Sequence, residues 1–99
     1  MNWSEIRRIH SWLPKTSKGW HQHPNGKGWV QDTAKVANTA YIGEKALIYD
    51  KARVFGKSFV YGKARVYGEA WVYGEAQVCG QFRIADKCNV NGTSVLCKE

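Results

Sequence analysis

No apolar run in this chain approaches the length of a membrane span, and no signal-peptide pattern opens it. A cytoplasmic protein with no membrane partner is therefore expected. Cysteine is sparse. Cys79, Cys88 and Cys97 are too few for a paired framework, and no Cys-x-x-Cys element is present, which argues against a structural zinc site. Histidine is limited to His10, His21 and His23. Acidic residues are outnumbered, with eight Asp and Glu against fifteen Lys and Arg, for a formal net charge of +7. The first 27 residues hold much of it, since Glu5 alone stands against Arg7, Arg8, Lys15, Lys18 and Lys27. A basic surface favours anionic partners such as nucleotides, nucleic acid or an acidic protein face, and it also keeps a small protein soluble.

What the chain does have is a repeat. From Gly28 to Glu99 it divides into twelve hexads, among them ALIYDK, ARVFGK, ARVYGE and AWVYGE. The third position is always aliphatic: Val30, Val36, Ile42, Ile48, Val54, Val60, Val66, Val72, Val78, Ile84, Val90 and Leu96. The first is small until Phe82. Positions one and three then point inward on a short strand, and two and four outward. Positions five and six are polar or glycine, as a sharp corner needs. Strands this short cannot bury an apolar face as hairpins. Stacked coils can, with three hexads closing a triangle and residues 18 apart lying over one another. Twelve hexads give four coils at a spacing of about 4.8 Å.

This pattern resembles the hexapeptide-repeat family over residues 28–99. The resemblance implies a left-handed parallel β-helix; periodicity alone does not give the hand, because parallel crossovers are normally right-handed. The expected fold is thus all-β, four coils, with a capping α-helix before them. Residues 1–27 form the N-terminal segment. Asn2 and Glu5 read as a capping box, and Trp3, Ile6, Ile9, Trp12 and Leu13 share one helical face, which predicts a helix over 3–13 that covers an open coil end or packs on a partner chain. Pro14 stops it, and 14–27 reads as a turn-rich linker.

The three faces differ. One shows Tyr41, Phe59, Gln77 and Val95 beside Tyr61, Cys79 and Cys97. It is the least charged, and it reads as a subunit interface. The resemblance implies a homotrimer, with a dimer as the alternative. Cys79 and Cys97 should stack in adjacent coils. A disulfide is geometrically open to them, with two free thiols expected in a reducing compartment. Cys88 should point inward. A second face carries Arg53 and Trp71 at cation–π spacing, with Tyr73. The remaining face carries Arg65, Arg83 and Tyr67. Cations among rings suit phosphates and stacked bases, although such ladders also stabilise strands by themselves.

The resemblance also covers acyltransferases and metal-dependent carbonic anhydrases, which use histidines in or near their coils. Here none of the three lies there, and no long loop interrupts a hexad. His21 and His23 could form part of a metal site, but Pro24-Asn25-Gly26 makes a turn the simpler explanation. Asp32, Asp50 and Asp86 read as corner residues. The expectation is a non-catalytic oligomeric binding protein without cofactor or metal, such as a small phage-type inhibitor or sequestering protein. Its ligand residues are Arg53, Trp71, Tyr73, Arg65, Tyr67 and Arg83, with Arg7, Arg8, Trp20 and His23 behind them. A minimal acyltransferase-like enzyme using His21 or His23 and a purely structural assembly module are the alternatives.

Overall fold

The computed structural model describes residues 2–85 and 87–98, with the backbone alone for Cys97 and Lys98. Helix α1 (Trp3–Ile9) comes first, followed by β1 (Trp20–Gln22) and β2 (Trp29–Gln31). Then come β3 (Lys35–Val36), β4 (Tyr41–Ile42), β5 (Leu47–Ile48), β6 (Arg53–Val54), β7 (Phe59–Val60), β8 (Arg65–Val66) and β9 (Trp71–Val72). The last are β10 (Gln77–Gly80), β11 (Arg83–Ile84), β12 (Asn89–Val90) and β13 (Val95–Lys98).

Strands three apart in sequence pair in parallel, giving sheets β2-β5-β8-β11, β3-β6-β9-β12 and β4-β7-β10-β13. Together they wind a β-solenoid of about four turns. The register is the one the repeat requires: Val54 pairs with Val36 and Val72, and Val60 with Ile42 and Val78. The aliphatic third positions and the small first positions fill the interior, where Ala40, Ile48, Val54, Val66, Val72 and Val78 are fully buried. Ser58 takes an alanine's place in that interior by donating its hydroxyl to the Phe55 carbonyl at 2.6 Å.

The N-terminal segment departs from expectation in three ways. First, α1 ends at Ile9 instead of 13, with the His10 N–H closing the last turn on the Ile6 carbonyl. Second, α1 lies along a side wall and not over a coil end. Ile6 and Leu13 cluster with the outward residues Trp29 and Leu47, and Trp3, Ile9, Trp20 and Tyr49 pack around them. The reason lies in the repeat itself, because Trp29 and Leu47 put apolar side chains on the outside of the first two turns, and only a helix or partner can cover them. Third, the stretch read as a linker holds β1, which pairs antiparallel with β2. The turn that follows seals the first coil. His23 and Asn25 Nδ2 bond the carbonyls of Ala37 and Ala40, and the Gly28 N–H donates to Ile42.

The cysteines also differ. Cys79 belongs to a disulfide, which overturns the free thiol expected there. Its backbone stands in register with Cys97 on the adjoining parallel strand, where a spacing of about 4.8 Å suits a bridge; the Cys97 side chain lies outside the described residues. Cys88 is free and exposed, not a core residue; it leads into β12, the outermost strand of its sheet among the described residues.

Candidate functional site

The first face is divided by the helix. Its lower positions, Trp29 and Leu47, are buried under α1, while the upper ones, Arg65 and Arg83, are left in register beyond the helix end. Corner residues Lys63 and Gln81, themselves 18 apart, rise beside them. These four side chains, with Ile9 and His10, line a recess of about 160 Å³ between the end of α1 and the sheet.

Three cations therefore converge in one small space. Among the described residues no carboxylate is ion-paired with Lys63, Arg65 or Arg83; the ion pair that is seen joins His21 and Asp32 at 2.7 Å. Arg65 is steadied on one side by a ring, its guanidinium lying 5.7 Å from the Trp12 centroid. Burial raises the Tyr49 phenol above its ordinary pKa, and Arg65 opposes that rise. Tyr67 stacks flat on Tyr49 at 4.8 Å.

His10 is the buried member of the recess. Its Nε2 lies 2.8 Å from the Lys45 carbonyl, so that nitrogen carries the proton and donates it. Nδ1 is then a bare acceptor, buried and without a partner among the described residues. Burial lowers the His10 pKa. The Lys45 hydrogen bond works against that, while the charges of Arg65, Lys63 and Arg83 lower it further. The ring is held neutral by its surroundings.

The second face brings another predicted group together. Arg53 sits 4.8 Å over the Trp71 ring, Phe55 meets Trp71 edge-on at 5.9 Å, and Asn91 donates to the Tyr73 hydroxyl at 3.0 Å. Phe55, Trp71, Tyr73 and Asn89 line a shallow, mainly apolar cleft of about 450 Å³. Trp71 is 38% exposed.

The remaining expected ligand residues are spread out. Trp20 packs against Trp3 and Tyr49 in the cluster under α1. His23 is buried, its Nδ1 accepting from the Asn25 N–H at 3.1 Å and its Nε2 donating to Ala37 at 3.0 Å, so both ring nitrogens serve the fold. Arg7 donates to the Leu13 carbonyl at 3.3 Å, and Arg8 is exposed on the helix. His21 and His23 do not meet as a ligand pair: His21 turns to Asp32, and His23 turns into the seal. Asp50 bonds the Gly68 N–H of the next coil at 3.3 Å. Asp86 lies outside the described residues.

Sequence reasoning passed over His10, Lys63 and Gln81. The last two carried a signal, since 18-residue spacing puts them over one another at the corner that leads into Arg65 and Arg83. His10 carried none, because its place depends on where the helix docks. On the third face, Tyr41 and Phe59 lie 5.7 Å apart, Tyr61 reaches Gln77 at 3.4 Å, and Phe59 and Val95 are exposed by 44% and 60%. No helix among the described residues is long and apolar enough to cross a membrane. Comparison with known proteins finds no matching family model, no matching curated protein and no matching solved structure.

Proposed function

We propose that the protein is a non-catalytic, oligomeric binding module that holds an anionic ligand, a nucleotide or nucleic acid, against the upper part of its first face. One observation carries this reading: Lys63, Arg65 and Arg83 are gathered around a recess with no carboxylate to balance them among the described residues. Gathering like charges is unfavourable in the unliganded protein, and an anion reverses the sign of that cost. The rings of Tyr67 and Trp12 beside the cations, and the Trp71 cleft on the second face, add flat surfaces suited to bases. Such a protein would act by sequestering its ligand, as a small inhibitor does.

The twelve hexads support membership of the hexapeptide-repeat family and, with it, a left-handed winding. The third face is the proposed contact with further copies of the chain, on the strength of its exposed Phe59 and Val95.

The test replaces Arg65 and Arg83 together with Glu and titrates a labelled mononucleotide or short single strand at low salt. Affinity should fall about tenfold or more, since charge-assisted contacts are the strong ones. The oligomer should persist. Unchanged affinity would remove this face from consideration, and binding only to an acidic protein would change the ligand class.

A further inference from the structure

The recess beside His10 has a feature that a general anion site does not need. Positive charge alone would attract any oxyanion. His10 adds a buried nitrogen lone pair with no hydrogen-bond partner among the described residues, while its other nitrogen is committed to the Lys45 carbonyl. Buried polar atoms without partners are rare and costly in folded proteins. The side chains that line the recess with His10 are Lys63 from the corner before β8, Arg65 from β8, Arg83 from β11, Gln81 and Ile9, with no acidic side chain among them. His10 therefore stands in a wall whose cations call for negative charge.

We propose that this recess is a site for a terminal phosphate, free or as the monoester of a small molecule, with Lys63, Arg65 and Arg83 taking its charge and His10 Nδ1 sharing a proton with one of its oxygens. The inference rests on the anion-binding reading above and narrows its ligand. A terminal phosphate has its second ionisation near pH 6, so close to neutrality it exists both with and without one proton. In the protonated form its P–OH supplies the donor that Nδ1 lacks. The dianion carries no such proton and is held by the three cations alone, so the monoprotonated form is the one this recess selects. In that form a single proton lies between nitrogen and oxygen, and no bond to phosphorus is made or broken. Sulfate and a phosphodiester have the charge but no such proton near neutral pH. The size of the recess also suits a terminal group better than a through-running backbone, because the helix end closes one side.

The experiment compares inorganic phosphate, sulfate, a nucleoside monophosphate and the matching nucleoside on the intact protein at pH 7 by calorimetric titration. Phosphate should bind about tenfold more tightly than sulfate, the cost of leaving a buried acceptor unmet. The monophosphate should bind at least as well as phosphate, and the nucleoside should not compete. His10→Gln keeps a donor for the Lys45 carbonyl while removing Nδ1, and it should bring phosphate down to the level of sulfate. Equal binding of phosphate and sulfate by the unmodified protein would overturn this inference and leave the anion-binding reading standing. Binding of neither anion would overturn both. A nucleoside that binds as well as its monophosphate would move the contact to the rings and away from this recess.

Discussion

Gly56, Gly74 and Gly92 occupy one corner column, 18 residues apart, and all have positive φ. A Cβ on Gly56 would stand 2.7 Å from the Gly74 carbonyl oxygen, and one on Gly74 would stand 3.0 Å from the Gly92 nitrogen. On Gly92 it would meet nothing within 4 Å among the described residues. The column thus separates two costs of losing glycine. Gly92→Ala should show only the conformational one, about 1 kcal/mol, and Gly74→Ala should add the backbone collision for a loss of roughly 2–3 kcal/mol. Chemical denaturation of the two variants checks this, and equal losses would mean that the close approach is unimportant. The corners were legible in the sequence because a turn of positive φ selects glycine. Asp50 shows where that rule bends. It adopts φ 60 with its N–H bonded to Gln31 at 2.8 Å and its backbone carbonyl accepting from Thr33 at 2.6 Å. Neighbours supply what a glycine would have supplied by its freedom.

Helix α1 has seven residues, too few to persist alone in water. Its capping box is formed, with Asn2 Oδ1 accepting from the Glu5 N–H at 2.9 Å and Glu5 accepting from the Asn2 N–H at 3.0 Å. Even so, docking onto Trp29 and Leu47 must hold it. His10 fastens its end to the sheet through Lys45, and its lowered pKa makes that fastening sensitive to acid. The unfolded or undocked histidine takes a proton at about pH 6.5, its ordinary value. The docked one takes it only at lower pH. Stability is therefore full above that point and is lost as pH falls through the docked value. Tryptophan emission during thermal unfolding from pH 7.5 to 5 should show a falling midpoint that flattens in His10→Gln; identical slopes would dismiss His10 as the cause. The start of the helix could be read from Asn2 and Glu5. Its resting place could not, because an amphipathic stripe tells that a face is buried without telling what covers it. Strand β1 was hidden for a related reason. Trp20-His21-Gln22 is three residues among turn formers, and only its antiparallel partner β2 makes it a strand.

Across the whole molecule the repeat determines most of the architecture, and the third face determines the proposed assembly. Phe59 and Val95 are its exposed apolar residues, and Tyr61 stands at its centre, half buried against Gln77. Tyr61→Lys places a charge where a second copy would have to desolvate it. The mass in solution, by native mass spectrometry or light scattering, should shift toward monomer; wild-type mass would mean that another face makes the contact. The three walls were legible because the inward period is strict. The recess was legible only in half, since Arg65 and Arg83 belong to the repeat while His10 arrives from outside it.

The two ends of the solenoid are not equivalent. At the first coil β1 pairs with β2, and His23, Asn25 and Gly28 bond the carbonyls of Ala37, Ala40 and Ile42, whereas at the other end β11, β12 and β13 are the outermost strands among the described residues. A ribbon can lengthen without limit only if both tips accept another ribbon. Between copies of the described residues, the rim of β11, β12 and β13 can zip onto a like rim but meets the seal from His23 to Gly28 at the first coil, so such joining favours a head-to-head pair over a fibre.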